Sequence, residues 1–324
     1  MNPMWLIRAI GMLCILICAQ SAVGDDYPSK PIRMVIPWPA GGIADLRGRV
    51  LAERLSKPLG QQVIVDNRPG ADGSIGAYAV AQARPDGYTI LYGSNIDQVI
   101  APAVNPALPY VPLRDLIPVI VFGKSHLLLV VNPAVPAKDM KQFAEWLKNS
   151  REPPAYSSGG NAHMAHLSGV MIEDRLRVKL LHIPYKGAAP ALLAVIGGDV
   201  SFGFDFVATS LPMIEAGKLR ALVVMGPKRL RSLPTVPSVD EVGMPDMYAY
   251  TWGGVFLPKG TPQPVAIRLQ SELQRIAASA DIRDHSAFSG MDFEVKTGSD
   301  LIEFIRAEQT KWGNLVKVAG VKVE

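Results

Sequence analysis

The sequence predicts an α/β protein of two lobes, each a mostly parallel sheet flanked by helices. Three observations predict it. Residues 32 to 92 alternate β-favouring and helical stretches in the order βαβαβ, the pattern of a parallel sheet with helices on its faces. A long β-rich run, Val119 to Val131, has the length to cross between lobes. A second run, Tyr248 to Trp252, offers a return crossing, and the helical patterns after it would pack back on the first lobe.

The first strand is Ile32-Arg33-Met34-Val35-Ile36, a short apolar run stopped by Pro37-Trp38-Pro39. From Ala44 the spacing turns helical, with Leu46, Val50, Leu51 and Leu55 on one face, until Pro58 and Gly60 end it. Val63 to Val65 reads as a second strand, Ser74 to Ala83 as a helix and Tyr88 to Tyr92 as a third strand. The run Val119 to Val131 is interrupted by Gly123-Lys124-Ser125. Beyond it the alternation resumes. Helices are expected at Met140 to Asn149 and His163 to Asp174, and strands at Ala155 to Ser157 and Lys179 to Ile183. Further elements follow at Ala188 to Ile196, Val200 to Phe206 and Leu219 to Met225, before the loop-rich stretch Leu233 to Asp246. The last helices span Pro264 to Ala278 and Asp300 to Val318. The expected division is therefore a first lobe of residues 25–124 and 250–324 and a second of 125–249.

At the N-terminus, Arg8 precedes an apolar run from Ala9 to Ala19 and the small residues Ser21, Ala22, Val23 and Gly24. That pattern predicts a signal peptide over residues 1–24, since the run is shorter than the roughly 20 residues a membrane span needs. A lipid anchor at Cys18 is the competing reading, but Ile17 stands where a small residue would be wanted. Both cysteines, Cys14 and Cys18, fall in this segment. The expected mature chain thus has no disulfide framework, zinc–thiolate site or cysteine nucleophile. A composition of 48% hydrophobic and 19% charged residues is globular, and 27 prolines fit many strand-to-helix corners. The formal net charge is +4, or +3 without Arg8, and basic residues are interspersed with acidic ones, so nucleic acid binding has little support.

Two loops carry the candidate chemistry. Pro39-Ala40-Gly41-Gly42-Ile43 joins a strand to a helix start, so backbone N–H groups near Gly42, Ile43 and Ala44 lack helical acceptors and can hold an anion. Ser157-Ser158-Gly159-Gly160-Asn161-Ala162-His163 likewise follows a strand and opens a helix. Either Gly-Gly pair alone is more often just a turn; two such loops in a two-lobe pattern raise the case for a ligand crevice at the carboxyl ends of the strands. Asp45 sits in the first helical turn, where it stabilises that end. Asp205, at the end of an apolar strand, either caps backbone amides or touches ligand. Ser94 and Ser158 are candidate ligand donors without the sharp-turn setting of a serine nucleophile. His163 and His166, with His182 as a third ligand, admit a metal site, although no His-Glu-x-x-His pattern accompanies them. No phosphate-cradling glycine motif lies between a strand and a helix, and no cofactor is expected.

Ile32 through Asp45 and Asp66-Asn67-Arg68-Pro69-Gly70-Ala71-Asp72-Gly73-Ser74-Ile75-Gly76 resemble the two N-terminal signatures of the tripartite tricarboxylate transporter receptors, the Bug proteins. Tyr156 to Leu167, Ile183 to Gly187, Phe204-Asp205, Gly217 to Leu222 and Trp252-Gly253-Gly254 to Gly260-Thr261-Pro262 continue the resemblance in the family's order. It implies a periplasmic binding protein of type II, the Venus-flytrap fold, that is not an enzyme. Such a receptor closes on a small carboxylate and presents it to a permease of one large and one small membrane subunit. The ligand class stays open among di- and tricarboxylates, acidic amino acids and aromatic acids. By the same resemblance Ala40, Gly41, Gly42, Ile43 and Ala44 grip the carboxylate with Ser158, Gly160, Asn161 and His163, and Trp38, Ser94, Tyr185 and Asp205 shape the rest of the pocket. His163 stands where relatives carry a hydroxyl, a larger group open to becoming cationic. A monomer is expected. An orphan sensor for a signalling partner and a secreted metal-dependent hydrolase are the alternatives.

Overall fold

A computed structural model describes residues 27–318; the signal peptide expected over 1–24, and the competing anchor at Cys18, lie outside them. The first apolar run forms β1 (Ile32–Ile36), and the chain turns into α1 (Ile43–Leu59), β2 (Val63–Asn67), α2 (Ser74–Ala81) and β3 (Thr89–Ser94). Helical residues after β3 end in the one-turn α3 (Ala101–Val104), and α4 (Pro112–Asp115) leads into β4 (Leu116–Val131). The second half-alternation is α5 (Met140–Asn149), β5 (Ala155–Ser158), α6 (Met164–Leu176), β6 (Leu181–Pro184), α7 (Ala188–Gly197), β7 (Phe202–Phe206), α8 (Val207–Glu215) and β8 (Arg220–Val224). The chain closes with β9 (Tyr250–Pro258), α9 (Gln263–Ala278), α10 (Ala280–Asp284), β10 (Met291–Lys296) and α11 (Gly298–Val318).

Each lobe is built on a parallel triplet. β1 lies between β2 and β3, with Met34 opposite Val65 and Ile90. β5 lies between β6 and β7, with Tyr156 opposite His182 and Phe202. The two triplets are joined through β9 and β4, which run antiparallel to their neighbours and make each sheet mixed. β4 pairs with β9 through His126, opposite Tyr250, and from Leu127 onward pairs with β7 and β8 instead. One strand thereby serves both sheets. Gly123-Lys124-Ser125 does not break it; the ladder shifts register between Val121 and Lys124, where Gly123 has φ 149° and β10 crowds it so closely that a Cβ would strike the Asp292 carbonyl.

Three sequence expectations are revised. Leu46, grouped by its spacing with Val50, Leu51 and Leu55 on one face of α1, is 40% exposed, because Gly48 is pressed against Ile36 and turns Asp45 and Arg47 inward. Pro58 does not end that helix, which runs on to Leu59 and is capped by left-handed Gly60 donating to the Lys57 carbonyl. β10 was not anticipated, although Met291, Phe293 and Val295 alternate with Asp292, Glu294 and Lys296.

α11 fastens the crossing. Its buried Glu308 accepts hydrogen bonds from the Tyr250 hydroxyl at 2.6 Å, Trp252 Nε1 at 2.8 Å and Trp312 Nε1 at 2.9 Å. Three donors on one carboxylate offset its removal from water, and they tie the C-terminal helix to the first residues of β9.

Candidate functional site

In the first lobe Gly41 adopts φ 85°, a left-handed turn that glycine takes without strain, and Gly42 is the N-cap of α1 with no side chain bonded to the helix start. The amides of Ile43 and Ala44 have no acceptor among the described residues. Gly41 differs: its N–H donates to Asp45 Oδ2 at 2.9 Å. Asp45 also accepts from Arg49 Nε at 3.0 Å and Asn67 Nδ2 at 2.9 Å. Burial alone would raise its pKa, but bonds from Arg49, Gly41 and Asn67 outweigh that and hold it below the usual carboxylate value. Asp45 therefore braces the loop, while Ala40 is exposed beside it.

Trp38 is half-buried, and glycine at 73 lets α2 approach: a Cβ there would lie 3.2 Å from the Trp38 ring and 3.1 Å from Asp97 Cβ. Ser94 joins this group but its hydroxyl donates to Asp97 Oδ1 at 2.8 Å, so its proton is committed within the lobe. Asp97 is fully buried, and burial pushes its pKa to about 6 against the opposing bonds from Gln98 and Ser94.

In the second lobe the loop after β5 is met by two helix starts. His163 is the N-cap of α6, its Nδ1 accepting from the Ala165 amide at 3.3 Å. Gly187 is the N-cap of α7, and a Cβ on Gly159 would lie 3.0 Å from the Ala188 nitrogen. The sequence places an element at Ala188 to Ile196 without assigning its start to the site; the signal was a glycine between Ile183-Pro184-Tyr185 and an alanine-rich helix. Tyr185 is held beside the loop by its amide, which donates to the Ser158 carbonyl at 2.8 Å. Gly160 takes φ 135° and Ala162 φ 58°, while Asn161 is exposed.

The hydroxyl of Ser158 is also committed. It donates to the Gly160 carbonyl at 2.8 Å, and with its single proton so used it accepts from His182 Nε2 at 2.6 Å. That direction is the reverse of a base activating a nucleophile. His166 accepts the Ala162 amide at 3.1 Å and stacks on His182 with centroids 3.9 Å apart and planes 2° from parallel. Face-to-face rings do not converge their lone pairs on one point, and among the described residues no group of three or more His, Cys, Asp or Glu is arranged to hold a metal.

The cationic His163 admitted from sequence is corrected. Burial, reinforced by neighbouring His166, pushes its pKa down to about 4. With Nδ1 accepting, the proton of the neutral ring sits on Nε2, a neutral donor. His163 shares a small cavity with Ser158, Gly159, Ala188, Phe204 and Asp205. Asp205 accepts there from the hydroxyls of Thr209 and Ser210, both at 2.6 Å, and burial raises its pKa to about 6 against those bonds. The backbone amide of Phe206 adds a further bond, so the carboxylate is held by hydroxyls together with the backbone capping the sequence allowed.

Chain neighbours of the two groups touch. Asn95, next to Ser94, points its Nδ2 at the sulfur of Met164, next to His163, at 3.7 Å, and donates to the Tyr250 carbonyl at 3.2 Å. Trp38, Ala40–Ala44 and Ser94 thus form one cluster, Ser158–His163, Tyr185 and Asp205 another, with Asn95 and Met164 at their junction. Among the described residues no helix is long and apolar enough to cross a membrane.

Comparison with known proteins agrees with this architecture. The profile of the tripartite tricarboxylate transporter family receptors matches residues 48–321. BugT of Bordetella pertussis is 32% identical over 326 residues, covering 100% of both chains. A solved R. palustris protein with adipate superposes at TM-score 0.86 with 29% identity, covering 92% of this chain and 99% of that one. MatC of Rhodopseudomonas palustris with bound malate gives TM-score 0.78 and 28% identity, covering 90% of this chain and 100% of its own. The chain therefore belongs to the tripartite tricarboxylate transporter receptor family of periplasmic solute-binding proteins.

Proposed function

We propose that this chain, acting as a monomer in the periplasm after removal of residues 1–24, captures a small carboxylate without catalysis and delivers it to a membrane permease. The lobes, 25–124 with 250–324 and 125–249, close about β4 and the start of β9. The observation that carries the reading is the unpaired Ile43 and Ala44 amides at the start of α1. Helix-start amides hold an anion without moving a proton, which suits capture and release. The second lobe adds the α6 and α7 starts, and the adipate and malate held by structural relatives support the ligand class.

A thermal-shift panel of adipate, malate, citrate, glutamate and benzoate tests it. An acid at about 100 times its dissociation constant adds about 2.7 kcal/mol of stability. No shift with any of the five would remove the carboxylate reading, and failure of the liganded receptor to bind detergent-solubilised permease subunits would remove the delivery reading.

A further inference from the structure

Among the described residues, Arg47 is a buried cation without a carboxylate partner. It is 2% exposed, on the inner face of α1, one turn beyond the free amides of Ile43 and Ala44. Its Nε donates to the Ala287 carbonyl and its Nη2 to the Ser125 hydroxyl, both at 2.8 Å. The Phe288 ring lies 5.5 Å from the guanidinium carbon, and Tyr92 is a further polar neighbour. All of these groups are neutral. The acid nearest in sequence, Asp45, is turned to Gly41, Arg49 and Asn67. Burial lowers the guanidinium's pKa, but a guanidinium stays protonated at physiological pH.

An ion taken from water and given only neutral partners is poorly compensated, and neutral packing of similar size is usually no less stable. A charge kept on those terms calls for a counter-charge from outside the chain. The site already described provides the place. Arg47 is four positions along α1 from Ile43, a rise of about 6 Å along the axis, so it starts on the same side of the helix one turn from the free amides.

We propose that Arg47 is a specificity-determining residue, the resident positive charge whose counter-charge is the carboxylate of the bound ligand. The inference rests on the carboxylate reading above. Arg47 acts through the field it adds to the Ile43 and Ala44 amides, and its bond to Ser125 links that field to β4 two residues before the strand changes sheets. At a separation on the order of 10 Å and the effective dielectric of a protein site, one such charge changes a dissociation constant roughly tenfold.

The experiment measures affinity for the five panel acids by calorimetry in four proteins. Arg47→Met removes the charge, Arg47→Lys keeps it, and Ser125→Asp supplies an internal carboxylate beside an intact Arg47. Expected are a roughly tenfold loss in Arg47→Met and in Ser125→Asp, and retention within about threefold in Arg47→Lys. A merely structural Arg47 predicts otherwise: Ser125→Asp would bind the acids as tightly as the parent, and that result overturns the inference while leaving the carboxylate reading intact. Equal losses in Arg47→Lys and Arg47→Met with none in Ser125→Asp would overturn it too. Should Arg47→Met fail to fold, Ser125→Asp decides alone. If the parent chain binds none of the acids, the carboxylate reading fails and this inference with it.

Discussion

The side-chain amide of Asn95 and the sulfur of Met164 lie 3.7 Å apart across the junction of the two lobes. Each is the chain neighbour of a proposed pocket residue, Ser94 and His163. Asn95 is fully buried and also accepts from the Thr251 hydroxyl at 2.5 Å, so one amide serves the first lobe, the second and the return strand. Asn95→Ala strips Thr251 of its acceptor and the Tyr250 carbonyl of its donor, and should cost about 2 kcal/mol in urea denaturation. It should also weaken ligand binding severalfold. Unchanged stability would mean that the buried amide is not what joins these segments.

Gly42 has φ −79°, a conformation open to any residue, and a Cβ there would meet only the Pro39 carbonyl at 3.7 Å. Gly42→Leu should therefore melt within a few degrees of the parent while its side chain covers the α1 start. The thermal shift produced by the tightest panel acid should vanish. A full shift in the variant would place the anion elsewhere.

Asp205 has its pKa raised from 3.8 to about 6 by burial. The folded state thus binds a proton more tightly than the unfolded one, and the contribution to stability is complete below pH 3.8 and lost as pH rises through 6. Asp205→Asn keeps an oxygen for Thr209 and Ser210 and abolishes this loss. Relative to the parent, the variant should gain roughly 2 kcal/mol between pH 4 and pH 7 by urea denaturation. A constant difference across that range would show that the carboxyl ionises without penalty.

His163 and His182 show the opposite sign. Burial lowers both from 6.5 to about 4, so their contribution is present above pH 6.5 and is lost as pH falls toward 4. Between pH 8 and pH 5.5 the pH dependence of carboxylate affinity should accordingly be the same in His163→Gln as in the parent, since His163 stays neutral throughout while Asp205 and Asp97 titrate alike in both. Titration calorimetry at three pH values in that range checks this; tightening through pH 6.5 in the parent alone would point to an imidazolium contact.

Glu308→Ala leaves the Tyr250 hydroxyl and the indole N–H groups of Trp252 and Trp312 unpaired in the interior. A loss of about 3 to 5 kcal/mol is expected from chemical denaturation, more than for Glu308→Gln, which keeps one acceptor oxygen. Equal losses in the two variants would assign the effect to packing.

Much of this protein was legible in the order of its residues. The alternation from Ile32 to Tyr92, the long run ending at Val131 and the return toward Trp252 specified two α/β lobes, because strand and helix periods are local properties of a sequence. Gly41-Gly42 and Gly159-Gly160 located the loops for the same reason: strand, glycine, helix start is a local grammar. The α7 start at Gly187, expected as an element but not as part of the site, obeys that grammar as well, and the alternation at Met291 to Lys296 is a strand signal of ordinary kind.

What only the tertiary structure decided is which polar groups remain unspent. Ser94 and Ser158 look like ligand donors in sequence, yet Asp97 and the Gly160 carbonyl take their protons. His163 reads as a prospective cation until burial beside His166 makes it neutral. Arg47 looks like any helix-face arginine until Gly48 docks on Ile36, turns it inward and gives it, among the described residues, only neutral partners. Hydrogen-bond commitment and desolvation depend on groups tens to hundreds of residues away, and no local period encodes them.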